Sequence, residues 1–251
     1  MISSHPLHPL ESSTSSEPSE VLASSALSQS IFIIIIGYSR VLRNPKLRFW
    51  MTNFGGIVLC GGQSKRMGKP KAWLPIAGEL MLPRVVRLLS EVVSPIVVVA
   101  APDQDLPPLP ADVQIARDEE KGRGPLQGLA AGLNALQGHA DAAYASSCDV
   151  PFLRPAFVRR MVEFLGSQQI CVPHVDGFHH PLAAVYRVQV LEIVRKLLRE
   201  NRLRPVFLFD AAPTRVVCSD ELLDIDPEFV TLRNLNTPED YEHALRDAEA
   251  L

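Results

Sequence analysis

Long apolar runs are missing from this 251-residue sequence, since none approaches the roughly 18 consecutive apolar residues of a membrane span. Aromatic residues make up only 6% of the chain, and the formal net charge is −3. Nothing in this balance attracts the whole protein to nucleic acid or to an acidic membrane, so a bound anion must be held by a local site. With 47% hydrophobic residues the chain can still bury a core, and one α/β domain of ordinary size accounts for most of it.

Paired cysteines are also missing. The four cysteines, Cys60, Cys148, Cys171 and Cys218, are widely separated and form no C-x-x-C pair. This spacing argues against a zinc site and against a disulfide framework. We therefore expect reduced thiols and a cytoplasmic protein.

The first fifty residues differ in composition from the rest of the chain. Residues 1–30 contain eleven serines and neither Lys nor Arg, so they bury too little apolar surface to offset the loss of chain entropy. The apolar run Ile31–Ile36 is too short for a secretory signal and lacks a preceding positive charge, which leaves a short strand as its other interpretation. We expect residues 1–50 to be a disordered extension, or a mis-assigned one if translation starts at Met51. Residues 51–251 then form the domain.

From residue 51 onward, apolar segments of strand length alternate with segments of helical periodicity. Strands are predicted at Gly55–Cys60, Ile96–Ala100, Val113–Ala116, Ala142–Ser146, Ile170–Pro173, Leu182–Tyr186 and around Val216. Helices are predicted at Met81–Val93, Pro125–Leu136, Pro155–Leu165, Val188–Glu200 and, after an N-cap at Thr237, Pro238–Ala248. The early strands are apolar on both faces, which is typical of a largely parallel sheet between two helical layers. The sequence thus predicts a three-layer, Rossmann-like α/β fold, in which ligands bind beyond the carboxyl ends of the strands.

A loop with unusual composition follows the first strand. It runs from Gly61 to Lys71 and combines two adjacent glycines with the basic residues Lys65, Arg66, Lys69 and Lys71. Glycines allow backbone N–H groups to approach phosphate oxygens, and the basic side chains supply positive charge. The spacing fits neither the P-loop nor the dinucleotide motif G-x-G-x-x-G. A flexible basic turn is the other interpretation of this segment.

Two acidic residues also follow predicted strands. Asp149 stands in Cys-Asp-Val-Pro just after the strand that ends at Ser146, where a carboxylate can point into the cleft. Mg²⁺ prefers such hard oxygen ligands and bridges to nucleotide phosphates. A turn-forming Asp is the alternative, but in combination with the basic loop we favour Asp149 as the metal ligand. Asp118 follows the strand Val113–Ala116, and considered alone it would be an ordinary surface charge.

Several motifs now resemble one family. The loop Leu-x-Gly-Gly-x-Ser-x-Arg-Met-Gly-x-x-Lys, from Leu59 to Lys71, resembles the signature loop of the nucleotidyltransferases that activate sugars and cofactors. Within them the chain is similar to the molybdenum cofactor guanylyltransferases from about Gly55 to its end. Further matches in the family's order are Gly-Pro-Leu-x-Gly at 124–128, Cys-Asp-x-Pro at 148–151 and Asn-x-Asn-Thr-Pro-Glu at 234–239. The chain departs from some members at Ala100, where they carry a nucleotide-contacting Asn.

The resemblance implies an enzyme that joins GMP from GTP to the phosphate of molybdopterin and releases pyrophosphate. It implies GTP contacts at Leu59, Cys60, Gly61, Gly62, Lys71, Asp118 and Asp149. It also implies a Mg²⁺ cofactor on Asp149, and we expect Lys71 and Arg66 as the catalytic residues that neutralise charge on the phosphates. Related cytidylyltransferases usually have Ala at the position of Gly61, so the Gly-Gly pair favours guanine over cytosine.

Alternatives to this activity remain open at this point. They are a related enzyme that uses CTP or another phosphate acceptor, a nucleotide sensor without catalysis, and an adaptor that hands molybdopterin to another enzyme. Contacts with other molybdenum cofactor enzymes would be compatible with catalysis.

The acceptor side of the predicted cleft has weaker signals. His174, His179 and His180 cluster around a predicted hairpin turn, where histidines more often cap a turn or contact an anion than bind a transition metal. The segment that begins at His180 resembles the part of the family that lines the pterin side. Arg202 and Arg204 either pair with the acceptor phosphate or are solvated. Asn234 and Asn236 would reach the cleft just before the last helix and assist the magnesium site.

Overall fold

The computed structural model describes residues 53–61, 70–118 and 123–249. The predictions for residues 1–50, for the run Ile31–Ile36 and for a start at Met51 lie outside these residues. The strands are β1 (Phe54–Leu59), β2 (Pro75–Ile76), β3 (Glu79–Leu80), β4 (Ile96–Ala100), β5 (Gln114–Arg117), β6 (Ala142–Ser147), β7 (Ile170–Val175), β8 (Phe178–His179), β9 (Ala183–Arg187) and β10 (Thr214–Cys218). The helices are α1 (Met81–Ser90), α2 (Pro125–Ala135), α3 (Pro155–Leu165), α4 (Leu191–Arg199), α5 (Val206–Ala211) and α6 (Pro238–Glu249).

Within these residues the main sheet has the strand order β10-β7-β9-β6-β1-β4-β5, and β8 pairs with β7. β1 lies parallel to both β4 and β6, β4 lies parallel to β5, and β10 lies parallel to β7. β9 is antiparallel to its neighbours β6 and β7. The prediction of a largely parallel central sheet is therefore confirmed, with β9 and the short β8 as the exceptions.

This topology places many strand ends along one border of the sheet. Because β9 is antiparallel to both β6 and β7, the strands β6 and β7 run in the same direction. The strands β1, β4, β5, β6, β7 and β10 therefore all end at the same border, which we call the carboxyl edge. In sheets of this type, ligands bind beyond that edge.

Helices cover both faces of the sheet. On one face of β1, Val58 and the following Cys60 pack in a core with α1 and α3. On the other face, Ile57 and Leu59 pack in a core with α2 and α4. Gly132 allows α2 to lie close to β1, since a Cβ added there would be 2.6 Å from the Cγ2 atom of Ile57. The three-layer arrangement follows from this burial of alternate residues on both faces.

A third apolar cluster fixes the end of the chain. Leu235 and Ala244 pack with Leu74, Ile76 and Met81 near the small hairpin β2–β3. Thr237 caps α6, because its Oγ1 accepts a hydrogen bond of 3.1 Å from the amide of Asp240. The predicted cap is confirmed, and the segment before α6 lies beside the segment that carries Lys71.

Helix and strand boundaries agree closely with the predictions, with a few differences. The helix predicted at Pro155–Leu165 has those bounds, and the strand at Ile96–Ala100 has them too. The continuous helix predicted from Val188 to Glu200 begins instead as a 3₁₀ turn over Val188–Val190. The helix α5 and the hairpin β2–β3 were not predicted. None of the helices in the described ranges is long and apolar enough to span a membrane.

Candidate active site

Lys71 and Asp149 form an ion pair at the carboxyl edge. The Nζ of Lys71 lies 2.6 Å from Oδ2 of Asp149, and their side chains are 17% and 8% exposed. Lys71 also donates a hydrogen bond of 3.1 Å to Oδ1 of Asn236. The structure thus brings together a predicted catalytic residue, the predicted metal ligand and an asparagine from the end of the chain.

The other carboxylate oxygen of Asp149 has its own donors. Its Oδ1 accepts a hydrogen bond of 2.7 Å from Nδ2 of Asn234 and another from the hydroxyl of Ser147. The backbone is tied in the same place, because the amide of Leu235 donates to the carbonyl oxygen of Asp149 at 3.0 Å. A buried carboxylate is costly unless its oxygens are paired, and here both are.

The segment after Asn234 is held by a second carboxylate. Oδ2 of Asp240 accepts hydrogen bonds of 2.9 Å from the amides of Asn236 and Thr237. These bonds lower the pKa of Asp240. They fix the backbone of Asn236, so its side chain meets Lys71 from a rigid turn.

The oxygen atoms around Lys71 suit a hard divalent cation. A carboxylate oxygen of Asp149 and the amide oxygen of Asn236 converge on one positively charged group, the ammonium of Lys71. Mg²⁺ is commonly bound through one or two carboxylates together with substrate phosphates, so a single Asp is compatible with a metal that arrives with its nucleotide. Within residues 53–61, 70–118 and 123–249, no three or more His, Cys, Asp or Glu side chains are grouped so that they could hold a metal by themselves.

The end of β1 contributes the predicted nucleotide contacts Leu59, Cys60 and Gly61. The amide of Cys60 donates to Val99 at 2.7 Å, and Nε2 of Gln104 donates to the carbonyl of Cys60 at 2.9 Å. The thiol of Cys60 interacts with the thiol of Cys148. This contact lowers the pKa of Cys60, and together with burial it raises the pKa of Cys148. Leu59 and Cys60 are buried, whereas Gly61 is exposed and open to a ligand. Gly62 and Arg66, also predicted here, lie outside the described residues.

Asp118 lies on the far side of this edge. It follows β5, and its amide donates to the carbonyl of Ala100 at 2.9 Å. In the strand order, β4 and β1 separate β5 from β6, so the strands that lead to Asp118 and Asp149 are three strand spacings, or about 14 Å, apart. The two residues do not form one cluster. The predicted contact of Asp118 with the nucleotide stays a prediction.

The N-terminus of α2 opens at the same edge. Gly124 precedes it with φ of 78°, a conformation that favours glycine, and Pro125 begins the helix without a side-chain cap. Unpaired backbone N–H groups and the helix dipole favour an anion or a carbonyl group at such an end. This placement agrees with the predicted nucleotide side.

The histidines lie on the opposite side of β6 from Asp118. His174 and His179 face each other across the hairpin β7–β8, with ring centroids 4.8 Å apart, and His179 also packs on Phe209 at 5.3 Å. Burial lowers the pKa of His179, and the nearby His174 lowers it further. Burial also lowers the pKa of His180, whose Nε2 lies 3.4 Å from the carbonyl of Val175. The lowered pKa values of His179 and His180 favour the neutral forms of these two side chains.

Arg202 has a partner other than a phosphate. Its guanidinium lies 4.4 Å from the ring centroid of Phe207 and 3.8 Å from a carboxylate oxygen of Glu200. Arg204 is exposed and lies just before α5. The predicted pairing of these arginines with an acceptor phosphate stays a prediction.

The fold and the site agree with the class of protein that the comparisons show. A largely parallel sheet with a Lys–Asp pair at its carboxyl edge is compatible with a nucleotidyltransferase. A family model described as MobA-like NTP transferase domain matches residues 56–214. The chain belongs to that family, and its relatives place it among the molybdenum cofactor guanylyltransferases.

Two relatives illustrate the similarity. The chain is 36% identical over 201 residues to a probable molybdenum cofactor guanylyltransferase of Mycobacterium avium, a match that covers 78% of this chain and 96% of the relative. It is 32% identical over 191 residues to the molybdenum cofactor guanylyltransferase of Desulfosudis oleivorans, covering 75% and 93% of the two chains.

Solved structures show the same fold at lower identity. Molybdopterin-guanine dinucleotide biosynthesis protein A from Archaeoglobus fulgidus superposes with a TM-score of 0.65 at 19% identity, covering 78% of this chain and 100% of that one. 4-Diphosphocytidyl-2C-methyl-D-erythritol synthase from Anaerococcus prevotii gives 0.58 at 12% identity, covering 79% and 96%. At these identities the likeness is one of fold.

Sequence reasoning missed two residues at the site. Ser147 bonds Asp149, and Gln104 ties the ends of β1 and β4 by bonding both Cys60 and the amide of Ala101. The pair of serines that ends an otherwise largely apolar strand was the available signal for Ser147. Gln104 lies in the loop 102–110, which contains four prolines, and had no signal of its own.

Proposed function

We propose that this chain transfers GMP from GTP to the phosphate of molybdopterin, forming a guanine dinucleotide and pyrophosphate. The observation that carries the proposal is the cluster of Lys71, Asp149, Asn234 and Asn236 at the carboxyl edge. Three separate family motifs supply these residues, and they meet in one place. The chain's membership of the guanylyltransferase family supports the choice of substrates.

Asp149 and Asn236 would hold the divalent metal, which we propose to be Mg²⁺. When bound, the metal would neutralise phosphate charge and align the α-phosphate. Lys71 is the residue that already balances the carboxylate of Asp149. When GTP enters, the ammonium of Lys71 would bind a phosphate oxygen in place of the Asp149 carboxylate. Arg66 would add positive charge from the loop.

The strand order suggests how the two substrates are arranged. β1, β4 and β5 lie on one side of Asp149, with Gly61, Asp118 and the open N-terminus of α2. This side suits the GTP phosphates and guanine. β9 and β7 lie on the other side, with the packed rings of His174, His179 and Phe209, and this side suits the pterin.

In the proposed reaction a phosphate oxygen of molybdopterin attacks the α-phosphorus of GTP and pyrophosphate leaves. Such a transfer needs alignment and charge stabilisation rather than a protein nucleophile. Lys71 and Arg66 would neutralise the charge that accumulates on the α-phosphate and on pyrophosphate. We also propose that the product is handed to other molybdenum cofactor enzymes through contacts with them.

The test is pyrophosphate release by the full chain with molybdopterin and Mg²⁺, compared for GTP, CTP, ATP and UTP. Release with GTP, abolished when molybdopterin is omitted, would support the proposal. Release with CTP instead would keep the mechanism and change the nucleotide. Binding of GTP without release from any nucleotide would contradict it and favour a sensor or a different acceptor.

A further inference from the structure

The two carboxylate oxygens of Asp149 have different partners. Oδ2 faces the ammonium of Lys71 at 2.6 Å. Oδ1 accepts hydrogen bonds from the hydroxyl of Ser147 and from the amide of Asn234. Two neutral donors on Oδ1 occupy the positions from which that oxygen would otherwise bind a cation, so Oδ2 is the oxygen available to a metal.

Ser147 holds its donor on a rigid element. It is the last residue of β6 and lies opposite Leu59 of the parallel neighbour β1. Asn234, by contrast, reaches Asp149 from a segment 85 residues away. A donor on a central strand fixes the orientation of a side chain two residues later more firmly than a donor on a loop does.

The neighbouring Ser146 makes no hydrogen bond to Asp149 among the contacts of the described residues. Ser146 is fully buried, and its hydroxyl bonds the carbonyl of Ser147 at 3.2 Å rather than Asp149. Successive side chains of a strand point to opposite faces, so the two serines differ in direction although they are adjacent. Ser146 is therefore a matched reference for the loss of a hydroxyl at the end of β6.

We propose that Ser147 is a positioning residue for the metal–nucleotide complex, which it serves by holding Oδ1 of Asp149 and so presenting Oδ2. The inference rests on the proposed function, since it takes Asp149 as the metal ligand. Partners that orient a metal-ligating side chain typically contribute 10–100-fold to metal affinity. We expect the loss of the Ser147 hydroxyl to weaken the metal-dependent part of GTP binding by about tenfold.

The experiment measures GTP binding to the full-length protein by calorimetry, without acceptor, once in EDTA and once in MnCl₂. The ratio of the two dissociation constants reports how strongly the metal assists binding, and it does not require turnover. In the wild type we expect Mn²⁺ to strengthen binding. In Ser147→Ala that ratio should fall by about tenfold while binding in EDTA stays the same.

Two further variants separate positioning from a general effect on structure. Ser147→Thr retains the hydroxyl and should restore most of the ratio, whereas Ser146→Ala should leave it unchanged. An unchanged ratio in a folded Ser147→Ala protein would overturn the inference, and so would an equal weakening in EDTA and Mn²⁺. GTP binding with a normal ratio in all variants refutes this inference alone, whereas failure to release pyrophosphate with any nucleotide refutes the proposed function.

Discussion

Replacement of Lys71 by Met tests the centre of the site most directly. The substitution removes the ammonium and keeps an unbranched apolar stem of similar size. In the native protein that ammonium neutralises a carboxylate whose side chain is 8% exposed. Oδ1 of Asp149 would retain Ser147 and Asn234, so only Oδ2 would lose its partner.

The magnitudes of the two effects differ. Removing one partner of a buried ion pair costs about 3–5 kcal/mol, and each kcal/mol lowers the melting temperature by roughly 2–4 °C in a domain of this size. Removal of a charge-stabilising donor from a transition state typically lowers kcat by about 10²–10³. Ordinary stabilities are about 5–15 kcal/mol, so the variant should remain folded. We therefore expect Lys71→Met to lose activity far beyond its loss of folded protein.

The assay combines pyrophosphate release from GTP, molybdopterin and Mg²⁺ with a urea unfolding curve for the same preparation. Lys71→Arg is the matched control, because it keeps the charge and should recover part of the activity while restoring most of the stability. Full activity in a folded Lys71→Met protein would refute the catalytic role. A loss of activity that merely follows the unfolded fraction would assign Lys71 to stability.

Three further predictions follow from the same contacts. Asp149→Asn should abolish activation by Mg²⁺, and an unchanged magnesium titration of activity would contradict its role as ligand. Gly132→Ala should lower the free energy of unfolding by about 1–3 kcal/mol in urea, because its Cβ would overlap Ile57; a stabilised variant would mean that helix propensity prevails. The pKa of His180 is lowered by burial, so its stabilising contribution is present above its ordinary pKa of 6.5 and is lost as pH falls through the lower, folded-state value. His180→Gln should therefore lose less melting temperature between about pH 7.5 and pH 5 than the wild type, and equal losses would contradict the assignment.

Local patterns predicted the fold well because burial of both sheet faces leaves a plain signal in the sequence. The runs at β1 and β4 are apolar on both faces, and the structure buries them between two helical layers. β9 is the instructive difference, because its apolar residues predict a strand and say nothing of its direction. Its antiparallel pairing with β6 and β7 depends on how the chain returns through the hairpin at Asp176 and Gly177.

The site was predictable where a motif carries its chemistry and unpredictable where the chemistry depends on contact. Asp149 and Lys71 could be proposed as site residues from the loop and the Cys-Asp-x-Pro motif, and the structure places them in contact. Their direct pairing could not be predicted, since 78 residues separate them. Ser147 and Gln104 have ordinary local sequences, and their roles come from the neighbours that the sheet gives them.

The long sequence separations between these residues also determine at what stage of folding the site forms. The partners of Asp149 and Lys71 include residues 78, 85 and 165 positions apart, and Leu235 packs in the cluster that anchors α6. Contacts of such long range form only when the whole sheet and the last helix are in place. The buried carboxylate of Asp149 would lose the hydrogen bond from Asn234 if that segment detached, so docking of the segment and completion of the proposed metal site are energetically coupled. A variant that weakens the Leu235 contact should therefore impair metal-dependent GTP binding without altering any residue that touches the nucleotide.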